Sequence, residues 1–154
     1  MTPPFQVLLD RHAASLLGYL RAAVGPAHAE DCFQDTVCAA LRSYTRAEPS
    51  SADPAPWLFT IAHGIVVDHH RREARRRRPV SRPPNAVVTG PEPRDDALWA
   101  ALDELPPKQR SATVLRVLED LPYRDVASIM GISEAAARRN VHVALTRLKE
   151  TIAS

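Results

Sequence analysis

The chain has 154 residues, 45% of them hydrophobic, which suits one ordinary globular length and a real core. Its formal charge of +2 is unevenly spread: residues 1–70 hold 4 basic and 7 acidic side chains, residues 71–94 hold 8 and 2, and residues 95–154 hold 8 and 9. A polyanion would meet the middle of the chain first. Secreted mini-domains and membrane-spanning chains are excluded by the same reading. Cys32 and Cys38 form neither a disulfide framework nor a C-x-x-C half-site, and no apolar run approaches the ~18 residues of a span. With no leader pattern at Met1-Thr2-Pro3-Pro4, the expectation is a soluble, cytoplasmic chain with both thiols reduced and packed.

The first predicted helix runs over 5–24, with Val7/Leu8, Leu16/Leu17 and Leu20/Val24 at helical spacing, until Gly25-Pro26 stops it. A second follows from about Ala29 to Tyr44, with Phe33, Val37, Ala40, Leu41 and Tyr44 on one face. The polar stretch TRAEPSSADP over 45–54 reads as an exposed loop. A third helix spans 55–78: Pro56 suits its first turn, and Leu58, Ile61, Ala62, Ile65 and His69 make its stripe. It ends in DHHRREARRRRP over 68–79, where six arginines also oppose the helix dipole. Such a run is often no more than a solvated face.

Residues 79–93, PVSRPPNAVVTGPEP, hold five prolines and no amphipathic period, and are predicted to be an extended linker. Beyond it, Asp95-Asp96 and Pro106-Pro107 open two further helices. A short helix after Pro122 then ends at Gly131, and Ser133 is placed to cap a longer one. That is a helix-turn-helix, whose packing is predicted to use Val126, Ala127, Met130, Ala137, Val141 and Leu145. Its outward face would offer Glu134, Ala135, Arg138, Arg139 and His142 to a major groove. The same pattern occurs in bundles that never touch DNA, but two arginines beside Ala135-Ala136-Ala137 favour binding, since small residues admit close approach.

His63, His69 and His70 share a helix with Asp68 but do not fall at the i,i+3 or i,i+4 spacing of three convergent ligands, so no metal site is expected. No nucleophile elbow, glycine-rich phosphate loop or isolated carboxylate pair is present, so no enzyme, cofactor or small-molecule substrate is expected. Phe59 is expected in the core. Trp57 is left between packing and stacking on an unpaired base.

Taken together, AEDCFQDTVCAALR (29–42), WLFTIAHGIVVDHHRR (57–72), LPPKQR (105–110) and LPYRDVASIMGISE (121–134) resemble the extracytoplasmic-function (ECF) sigma factors of bacterial RNA polymerase. The resemblance runs in order from about Phe5 to Lys149. It implies an all-α chain of two small helical domains joined by the proline-rich linker at 79–94: a region 2 helical bundle (5–78) and a region 4 helix-turn-helix (95–152). Asp31, Gln34 and Asp35 would dock on core polymerase. Trp57, His63, Val67 and His70 would read and open the minus-ten element, and the 45–54 loop would take an extruded base. Arg71, Arg72, Arg75, Arg76, Arg77 and Arg78 would anchor phosphates. Ser133, Glu134, Ala135, Arg138, Arg139 and His142 would meet the minus-thirty-five element, and an anti-sigma partner is expected. The chain departs from the pattern at His63-Gly64, where Arg-Asn is common, and at 135–140, where Gly-Thr-Val-Lys-Ser-Arg is typical. A duplex-binding regulator that never joins polymerase is the alternative reading, and an interaction module that has lost promoter reading is a third.

Overall fold

Why the chain turns where it does is decided by a few local signals. The structure, a computed structural model, describes residues 4–44, 54–76 and 96–153. Helix α1 (Phe5–Val24) ends at Gly25, whose φ of 86° is open to glycine and whose N–H donates to the Arg21 carbonyl at 3.0 Å. Pro26 then opens α2 (Pro26–Tyr44), three residues before the expected start, because a first-turn proline needs no N–H partner. The expected face of α2 is also corrected. Its buried stripe is Ala29, Cys32, Thr36 and Ala40, while Leu41 is 49% exposed. Small residues let α2 lie close to its neighbours, and the buried Thr36 hydroxyl is satisfied by donating to the Cys32 carbonyl at 2.7 Å. Cys38, expected to be packed, is exposed; only Cys32 is buried.

Helix α3 (Ala55–Arg76) buries Leu58, Phe59, Ala62 and His69 as expected, but adds Val66 and leaves Ile61 and Ile65 half-buried. Phe59 meets Tyr19 of α1 edge to face, with centroids 5.6 Å apart. The 45–54 loop before Pro54, the linker, Arg77 and Arg78 lie outside the described residues.

The second group comprises α4 (Asp96–Glu104), α5 (Pro107–Thr113), α6 (Tyr123–Met130) and α7 (Glu134–Ala153). Helix α5 runs on into a π-helical turn at Val114–Leu118, which the sequence pattern did not announce. Helix α6 ends in a Schellman arrangement: Gly131 sits at φ 67°, and the Ile132 N–H reaches the Ala127 carbonyl at 3.0 Å. One residue on, Ser133 caps α7, its Oγ accepting from the Ala136 N–H at 3.1 Å. Val126, Ala127, Ala137 and Val141 are buried as predicted and Met130 partly so. Leu145 is 37% exposed; Ala144 and Leu148 take its place, packing on Ala101, Leu102 and Leu105.

These two groups do not sit as separate beads. Leu16, Tyr19 and Leu20 of α1 and Phe59, Ala62 and Val66 of α3 share a continuous core cluster with Ala112, Leu115, Val126 and Ala137. Polar atoms on the seam are paired too. The Tyr19 hydroxyl lies 3.0 Å from His63 Nδ1 and 3.5 Å from Ser111 Oγ. The Arg110 guanidinium donates to the carbonyls of Leu102, Asp103 and Leu105 within its own group, each at 2.9 Å, and to that of Ala23 across the seam at 3.1 Å. Among the described residues, no helix is long and apolar enough to cross a membrane.

Candidate nucleic-acid interface

The turn at Gly131-Ile132-Ser133 aims the start of α7 outward, so that Ser133, Glu134, Ala135, Arg138, Arg139 and His142 are all exposed. Arg138 is the most constrained of them. Its guanidinium lies 3.7 Å from Glu134 Oε2 and 4.9 Å from the centre of the Tyr123 ring of α6, against which Arg116 also stacks at 4.3 Å. An exposed i,i+4 pair of this kind contributes only about 0.3–0.5 kcal/mol, so a guanine edge or phosphate can displace Glu134 readily. The surface thus combines a rigid two-helix base, small side chains and cations, which is what an α-helix needs to enter a major groove.

Helix α3 divides its predicted residues between two surfaces. Arg71, Arg72, Arg75 and Arg76 are exposed in its last turns. The first three line a groove with Ile65 and Asp68 of the same helix and Asp35 of α2. The structure therefore joins one residue predicted to face polymerase to three predicted to face phosphates. Asp31 and Gln34 lie beside Asp35 on the exposed side of α2. His63, Val67 and His70 face the other way. They line a cleft closed on its far side by Pro107, Lys108, Ser111, Met130, Gly131 and Ile132. His70 Nε2 sits 3.0 Å from the Ala23 carbonyl, the same oxygen that Arg110 reaches. Burial lowers the affinity of His63 for a proton, with His70 adding to the effect, so its ring is neutral near pH 7 and Nδ1 can accept from Tyr19. The same burial raises the Tyr19 phenol well above its ordinary range. Trp57 is half-buried, its ring 6.2 Å from that of Tyr44 in a small cluster around Leu8 and Leu58.

Sequence reasoning passed over Tyr19, Arg110, Arg116 and Tyr123, each of which orients a predicted residue or closes the seam. LPPKQR did contain Arg110, but no local pattern shows that its acceptors are main-chain carbonyls. Among the described residues, the donors that do meet are His69 and Glu73 with His28, contributed by a different helix.

Known proteins place this architecture. Residues 8–76 match the family model of sigma-70 region 2, and residues 95–148 that of sigma-70 region 4. The chain is 33% identical to RNA polymerase sigma factor CarQ of Myxococcus xanthus, covering 96% of this chain and 88% of that one. It is 34% identical to the ECF sigma factor SigL of Mycobacterium tuberculosis, over 96% of this chain and 88% of the relative. In fold it is similar to the sigma factor RpoE of Bartonella quintana, solved with the anti-sigma factor NepR, at a TM-score of 0.78, 24% identity and 96% coverage of each chain. The two halves thus define a sigma-70 type protein. More narrowly, the chain belongs to the extracytoplasmic-function sigma factors of RNA polymerase. It directs promoter-specific initiation by RNA polymerase and carries out no reaction of its own, which sets aside the regulator reading.

Proposed function

We propose that the chain works in the cytoplasm through a division of surfaces. Its first group, 5–78, holds core polymerase and the minus-ten element, and its second, 95–152, the minus-thirty-five element, with 79–94 as linker. Asp31, Gln34 and Asp35 on the open face of α2 dock on core polymerase. Arg71, Arg72, Arg75 and Arg76, extended by Arg77 and Arg78, hold backbone phosphates while Trp57, His63, Val67 and His70 engage the opened minus-ten strand. Unstacking a base costs a few kcal/mol, and that expense is tolerable only where the flanking duplex is already held. Ser133, Glu134, Ala135, Arg138, Arg139 and His142 meet the minus-thirty-five duplex. An anti-sigma factor is the expected inhibitory partner; the RpoE structure with NepR supports that expectation.

The observation that carries the reading is the exposed start of α7, capped by Ser133 and carrying Arg138 and Arg139 on a packed helix pair. Reconstitution with bacterial core polymerase on a genomic promoter library tests it. The expected result is run-off transcripts that disappear with Arg138→Ala plus Arg139→Ala, since removing an arginine from a base edge costs about 1–3 kcal/mol of duplex binding. Transcripts unaffected by that pair of changes would return α7 to a packing role, and failure to bind core would overturn the reading altogether.

A further inference from the structure

His28 stands in the first turn of α2, while His69 and Glu73 stand one turn apart on α3, on the same face of that helix. One donor atom from each lies within 4.8 Å of the other two. The rings of His28 and His69 are 4.7 Å apart at 50° to one another, tilted rather than stacked flat. His69 is buried, Glu73 half-buried and His28 exposed, so the group has a fixed floor, an anionic wall and a movable lid. From these three residues we propose a binding site for one divalent first-row cation, zinc suiting the donors best, that ties the beginning of α2 to the end of α3.

Two imidazoles and a carboxylate are a recognised zinc donor set, with a fourth position left to water. Bonds of about 2.0–2.2 Å in tetrahedral geometry place donors roughly 3.4 Å apart. The group must therefore tighten by at most about 1.4 Å, which side-chain rotation of exposed His28 and half-buried Glu73 can supply without moving a helix. Arg72 precedes Glu73 in the chain, and the His70 ring lies 5.8 Å from that of His69. Of the three donors, Glu73 is the carboxylate and the other two are imidazoles, so removing it changes the charge of the donor set. Oxygen-seeking magnesium and calcium are disfavoured by two nitrogen donors in three. None of the three donors is itself a proposed DNA-reading residue, although the His69 ring lies 5.8 Å from that of His70.

The test uses the full chain, freed of metal with a chelator, and Co²⁺ and Zn²⁺ as probes. One equivalent of Co²⁺ should bring up visible d–d bands that Zn²⁺ displaces, and Zn²⁺ should raise the melting temperature reversibly. Glu73→Gln keeps the shape of the side chain and removes only its charge; His28→Ala alters an exposed position. Each should lower affinity by at least the roughly tenfold typical of losing a supporting group around a metal. Absence of the bands would overturn the site, and so would binding that survives either substitution unchanged. The histidine pair would then be simple packing between α2 and α3.

Discussion

Arg110 gathers four carbonyls from across the molecule with one side chain. Its planar fork closes the α4–α5 corner through three of them and reaches the fourth, Ala23, on the far side of the seam. Lysine cannot reproduce this, since an ammonium has three donors and no plane. Arg110→Ala should therefore destabilise the fold by about 2–3 kcal/mol in a urea titration, charge-assisted bonds being worth about 1.5–3 kcal/mol, and Arg110→Lys should recover little of it. At this scale the sequence was a partial guide. Ser133 and Gly131 could be read because capping and left-handed geometry are local demands on residue type. Arg110 could not, because its acceptors are main-chain atoms brought near only by the tertiary fold. His28 escaped notice for the same reason: spacing arguments see one helix at a time.

For the helices, existence was easier to read than orientation. Gly25-Pro26, Pro56, Pro106-Pro107, Pro122, Gly131 and Ser133 all stand at or beside helix ends, and each is visible in the chain. The buried face of α2 was misjudged because its packing uses Ala29, Cys32, Thr36 and Ala40, where closeness replaces hydrophobic bulk. The π-turn at Val114–Leu118 escaped because its residues suit an α-helix equally well. The last described turns of α3 leave Arg71, Arg72, Arg75 and Arg76 exposed, which suits a phosphate anchor and a solvated face alike. Replacing Arg75 and Arg76 together by alanine should weaken promoter binding and flatten its log–log salt dependence by up to about 1.8, roughly 0.9 for each phosphate released. An unchanged slope in a salt series of binding isotherms would mark the run as merely solvated.

Across the whole molecule, the continuous core between the two helical groups is what the sequence concealed. No periodicity in either group announces that Tyr19 will meet Ser111 or that α3 will rest on α6. This seam carries a pH dependence. His63, faced by Tyr19, Ser111, His70 and Lys108, has a folded pKa below its ordinary 6.5. Its contribution is therefore fully present above about pH 6.5 and is lost as the pH falls from there through the lowered folded value, because the unfolded chain binds the proton first. Buried His69 acts in the same direction, whereas Glu119, whose carboxyl burial pushes up from 4.5, gains stability as acid is added. Melting temperatures taken downward from neutrality should fall, and His63→Gln should flatten the decline without abolishing it.

The cleft in which Pro107, Lys108 and Gly131 stand over His63, Val67 and His70 has a further meaning for a protein that must search a chromosome. If those α3 residues touch a melted strand, the closed chain cannot do so, and its apparent affinity for such DNA is scaled by the fraction that happens to be open. A one-in-a-hundred opening would weaken that binding about a hundredfold. Copies without polymerase would then leave melted DNA alone. Commitment to a promoter would become a property of the assembled holoenzyme, with the seam acting as a threshold that a solitary subunit rarely crosses.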